Sequence, residues 1–89
     1  MPELKDHFLI QLAWADQLSD EELDALLAGY AEKLQAEVLM LRETLRRGPL
    51  SPQRTTREAY LWRAIYERWL SFYESEHDWV RQLRSTLQA

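Results

Sequence analysis

The sequence predicts an all-α fold of three helices, one short and two long, assembled as an intertwined or bundle-like homodimer. Three observations lead there. Only two glycines and three prolines interrupt the 89 residues. No alternating, β-branched-rich run reads as a strand, and apolar residues recur at spacings of three and four through most of the chain. A chain of 89 residues forms a single domain spanning 1–89, because units much shorter than a common domain barely bury a stabilising core.

The first helix is expected over about 2–17. Leu4, Phe8, Leu12 and Ala15 fall on one side, with Ile10, Trp14 and Leu18 adjoining them, so the apolar arc exceeds half the circumference and predicts a helix packed on two sides. The second helix has the best-marked start. Ser19 is placed to cap the backbone N–H of Glu22 while Glu22 reaches back, and Leu18 and Leu23 can close a hydrophobic staple. Its first turn is acidic and its last turn basic, matching the helix dipole, and Gly48 and Pro49 supply a left-handed cap and a stop. It is expected over 20–47, with Leu23, Leu27, Tyr30, Leu34, Val38, Leu41 and Leu45 on one committed face. Those spacings sum to eleven residues per repeat and predict nearly straight packing.

Residues 49–54 read as a loop from their two prolines. Thr55 and Glu58 then form a second candidate capping box, and the third helix is expected over about 55–88. Most of the aromatic residues lie in it, on two adjacent stripes. Trp62, Ile65, Trp69, Phe72, Glu76, Trp79 and Leu83 form one; Tyr66, Leu70, Tyr73, His77, Val80 and Leu87 form the other. Such a face is too wide for one neighbour. One stripe is expected to close the chain's own bundle and the other to meet the same helix of a second copy, and periodicity alone leaves open which does which. At about 1.5 Å per residue the two long helices are roughly 42 and 50 Å long, so they overhang any monomeric core and need a partner to cover them. The first stripe is taken as the candidate dimer interface.

Composition narrows the function. With no cysteine there is no disulfide framework, thiolate metal site or cysteine nucleophile, and a reducing cytoplasm is the natural compartment. The start of the chain carries Glu3, Lys5, Asp6 and His7 rather than a basic stretch and an apolar run, which argues against a secretory signal. No apolar stretch approaches the ~20 residues that span a bilayer. Net charge is −4, yet Met1 to Glu37 holds nine acids against two lysines, and Arg42 to Arg68 seven arginines against three acids. These arginines are spread over two helices and a loop in an acidic chain, so direct nucleic-acid contact is not expected. Without a glycine-rich phosphate loop or a nearby Ser, His and Asp constellation, no enzyme activity and no cofactor are expected.

Polar residues on apolar faces are the remaining candidates. Glu74 and His77 have the carboxylate and imidazole spacing of bundle di-metal sites, but they sit in ordinary helix polarity, and no metal is expected. Glu76, an acid in an apolar stripe, needs an Arg or Tyr partner across an interface. His7, Trp14, Tyr73 and His77 are the candidate ligand contacts, for a small aromatic compound against a tryptophan-lined groove.

Several segments resemble a known family. Leu4 to Ala13 (LKDHFLIQLA), Gln17 to Leu23 (QLSDEEL), Ala59 to Trp62 (AYLW) and Glu76 to Leu83 (EHDWVRQL) look, in that order, like the C-terminal helical domain of PadR-type transcriptional regulators, also described as the virulence-activator alpha C-terminal region. The resemblance implies a module that dimerises the regulator and, in some members, relays binding of small aromatic or cationic compounds to a DNA-binding half. Such regulators begin with a winged helix-turn-helix domain, and no such segment precedes Leu4. The chain is therefore expected to be either an excised fragment or a free-standing version that pairs with a full-length regulator, with dimerisation as the property carried over.

Overall fold

A computed structural model describes residues 2–48 and 55–88, with side chains from His7 onward. The expected loop over 49–54 and the Leu4 side chain lie outside the described residues. The described residues form three α-helices, α1 (Pro2–Ala13), α2 (Asp20–Arg47) and α3 (Thr56–Gln88), with a 3-10 turn at Ala15–Gln17 between the first two. The described residues contain no strand.

The ends of α2 follow from local chemistry. Glu22 N–H donates to Ser19 Oγ at 3.1 Å, and Ser19 N–H donates to Glu22 Oε1 at 3.1 Å, a complete capping box. The Ser19 backbone donor holds the Glu22 carboxyl below its usual range. At the other end Gly48 takes φ 91°, a left-handed value that disfavours a side chain, and its N–H returns to the Thr44 carbonyl at 3.2 Å. The start of α3 uses the same device, Glu58 N–H donating to Thr55 Oγ1 at 3.0 Å.

The first helix is shorter than expected. Trp14 leaves helical geometry at φ −104° and ψ 10°, the backbone tightens into the 3-10 turn, and Leu18 extends to ψ 150°. The physical reason is the Ser19 cap, which needs an extended approach and so ends the preceding helix a turn early.

Helices α2 and α3 form a long antiparallel hairpin, tied at its open end by Asp24 with Arg84 and Gln88. Leu27, Tyr30, Leu34, Val38 and Leu41 of α2 are buried against Tyr73 and Val80 of α3, with Leu23, Leu70 and Leu83 packed around them. The radius of gyration is 16.4 Å and the extents are 53 × 21 × 15 Å, against roughly 12 Å for a compact globule of this length. The molecule is a rod.

One end of the rod carries α1, docked through Phe8. Its ring stacks on Tyr30 with centroids 3.8 Å apart and planes 3° from parallel, and meets Trp79 edge-on at 6.4 Å. The two-sided packing expected for this helix does not occur within the chain. Ile10 is 63% exposed and Trp14 77% exposed, because the hairpin offers α1 a single surface.

Candidate functional site

The structure separates the two stripes of α3. Tyr73 and Val80, on the second stripe, are fully buried, so that stripe is centred on the chain's own core. The first stripe runs beside the α2 contact and divides. Trp69, Phe72 and Leu83 are partly buried against the core, whereas Trp62, Ile65 and Trp79 remain 44%, 38% and 39% exposed. Sharing of Trp69, Phe72 and Leu83 between core and surface was invisible to periodicity, since positions three and four apart on a wide apolar arc look equivalent.

Towards the loop end several large apolar residues are exposed. Trp62, Tyr66 and Trp69 make an aromatic run with centroids 6.0 and 5.5 Å apart. Leu61 is exposed beside them, and Met40 is exposed on α2. A large uncovered apolar surface on a small protein marks an interaction site.

Helix α1 lies over the side of the hairpin that carries Tyr30 and Trp79. On α2, Leu26, Gly29, Tyr30 and Lys33 line, with His7, Phe8 and Gln11 of α1, a cavity of about 200 Å³. Continuing the same helical stripe toward the loop leads to Glu37, Met40 and Thr44. On α3 the stripe runs from Trp79 back through Glu76 and Phe72 to Ile65.

Polar groups on this face are accounted for unevenly. Glu76 has its partner within the chain: Tyr30 O–H donates to Glu76 Oε2 at 3.2 Å. An arginine or tyrosine partner was expected across an interface, and Tyr30 of α2 supplies it within the chain. Burial, and then the Glu76 carboxylate, push the Tyr30 phenol well above its usual 10.0. Burial and the nearby Glu37 carboxylate raise Tyr73. Glu37 Oε2 is sealed from solvent without a hydrogen-bond donor, a position that costs free energy.

The four candidate ligand contacts occupy different environments. His7 lines the α1/α2 cavity, and His77 borders an open concavity of about 740 Å³ with Arg81, Arg84 and Gln88. Tyr73 is in the core, and Trp14 points into solvent. Glu74 is ion-paired with Arg42. Among the described residues no group of three His, Cys, Asp or Glu side chains is placed to hold a metal ion.

Sequence reasoning missed the long-range ion pairs. Arg84 holds Asp24 through two bonds of 3.0 and 3.1 Å, and Gln88 Nε2 adds a third at 2.8 Å. Arg46 and Arg47 both fold back on Glu43, holding its carboxyl below the usual range, and Arg63 pairs with Glu67 at 2.9 Å. Several arginines of the basic middle are thus paired with acids of their own helix. No described helix is long and apolar enough to cross a membrane.

A family model described as virulence activator alpha C-term matches residues 4–88. No curated protein and no solved structure matches the chain.

Proposed function

The chain belongs to the virulence activator alpha C-terminal family, and from that membership we propose that it is the homodimerising, non-enzymatic regulatory domain of a PadR-like transcriptional regulator. The observation that carries this reading is the bare aromatic face of α3. Trp62 and Ile65 are exposed side by side on a rod whose α1 docks toward the other end, and burying such a patch against a second copy removes it from water at roughly 25 cal/mol per Å². Tryptophan and tyrosine are the residues that dominate interface cores.

Light scattering on the 89-residue chain at micromolar concentration tests it. The parent chain should have the mass of two copies, and Ile65→Asp should shift it to one copy with helical circular dichroism unchanged. A parent chain that stays monomeric ends the proposal.

A second reading, a small-molecule sensor, is favoured by the α1/α2 cavity, where His7, Gln11, Tyr30 and Lys33 set polar groups around an apolar floor of Phe8 and Leu26. At about 200 Å³ it is smaller than the ~300–1,000 Å³ typical of ligand sites, so it suits a compact aromatic compound. Tryptophan fluorescence that stays constant across planar aromatic and cationic compounds would remove this reading.

A further inference from the structure

We propose that the outward side of α3, over its first turns, is a docking surface for an acidic amphipathic helix of a different protein. This side is separate from both apolar stripes described above.

Five residues make the surface. Arg57, Tyr60, Leu61, Ala64 and Arg68 stand at spacings of three and four, so they share one side of the helix, and all five are exposed. At about 3.6 residues per turn, Ala64 is roughly two and a half turns before the buried Tyr73. It therefore lies on the opposite side of the helix from the core. Farther along, Ser71, Ser75, Asp78 and Gln82 continue this outward side, exposed and polar throughout, as a solvated side normally is. The first turns break that pattern, with Tyr60 71% and Leu61 52% exposed next to each other.

Charge identifies the occupant. Arg42, Arg46, Arg47, Arg63, Arg81 and Arg84 each pair with a carboxylate of the chain. Arg57 and Arg68 are in no ion pair among the described residues. Their own helix supplies no partner, because no Asp or Glu stands three or four positions from either. Two unpaired cations thus lie about 16 Å apart along the helix, with Tyr60, Leu61 and the small Ala64 between them. The complement is a helix whose apolar stripe is bounded by acids at the same separation. Arginine and tyrosine are also among the residues that carry most of the binding energy at protein interfaces.

Other occupants fit less well. The convex side of a helix encloses no small molecule. On a chain of net charge −4, two unpaired arginines give few contacts to the phosphates of nucleic acid or of an anionic membrane.

A charge swap tests the proposal. The probes are a dye-labelled helical peptide with a leucine stripe and glutamates eleven residues apart, and its twin with lysines in their place. By fluorescence anisotropy the 89-residue chain should bind the glutamate peptide roughly tenfold more tightly than the lysine peptide. Arg57→Glu combined with Arg68→Glu should reverse that order with helical circular dichroism unchanged. If that pair loses helix, Arg57→Gln with Arg68→Gln replaces it and should abolish the preference. Ile65→Asp, which tests the homodimer reading, should leave the preference intact. Equal binding of the two peptides overturns the proposal, as does tighter binding to duplex DNA or to phosphatidylglycerol vesicles than to the glutamate peptide. Loss of a light-scattering dimer in the Arg57 and Arg68 variant also overturns it, by giving the surface to a second copy.

Discussion

Arg84 grips Asp24 with both prongs of its guanidinium, Nε–H donating to Oδ1 at 3.0 Å and Nη2–H to Oδ2 at 3.1 Å, across 60 residues of sequence. Both side chains are only about one-third exposed, and the planar fork matches the carboxylate in a way lysine would not.

This pair predicts an acid-sensitive hairpin. Hydrogen bonding to Arg84 holds Asp24 below its usual 3.8, so its stabilising contribution is present above 3.8 and is lost as pH falls through the depressed value. Asp24→Asn should lower the melting temperature at neutral pH and flatten its further fall below pH 3.8. Parallel curves for variant and parent would show that the pair contributes nothing to acid unfolding.

The capping box predicts a local stability loss. Ser19→Ala removes the acceptor for Glu22 N–H and should cost about 1 kcal/mol, as N-cap truncations typically do. In urea the midpoint should drop at constant slope. An unchanged midpoint would mean that the cap is redundant.

Docking of α1 depends on one ring. Phe8→Ala removes the stack on Tyr30 and the edge contact with Trp79, and a buried Phe→Ala change costs about 3–5 kcal/mol. Hydrogen exchange should then lose protection in the His7–Ala13 backbone while α2 and α3 keep theirs. Retained protection in α1 would place its anchor elsewhere.

Tyr30 and Glu76 should be energetically coupled. Tyr30→Phe leaves a partly buried carboxylate without its donor, at a cost of about 1–3 kcal/mol. A double-mutant cycle with Glu76→Gln measures the coupling, and a value near zero would reduce the contact to proximity. The raised Tyr30 also predicts alkaline behaviour of the opposite sign to Asp24: its contribution is present below its usual 10.0 and is lost as pH rises toward the elevated folded value.

What was legible in the sequence was local. The bounds of α2 followed from Ser19, Glu22 and Gly48 because caps act within a few residues, and the buried face from Leu27 to Leu41 followed from periodicity. The break at Trp14 was hidden because the apolar pattern continues through it to Leu18, whereas the backbone obeys the downstream cap. Glu76 was recognised as needing a partner, but Tyr30 is 46 residues away and no spacing encodes the meeting. The division of the α3 stripes depended on where α2 lies, which single-helix patterns do not contain.

The Asp24 clamp has a mechanical consequence. The chain itself joins α2 to α3 at one end of the hairpin, and Arg84 with Gln88 ties them at the other. Shearing one helix past its neighbour by a single turn, about 5.4 Å, would break these bonds and the Tyr30 contact together. Sliding is therefore locked, and what the rod can pass from end to end is bending or rotation of the pair as a unit.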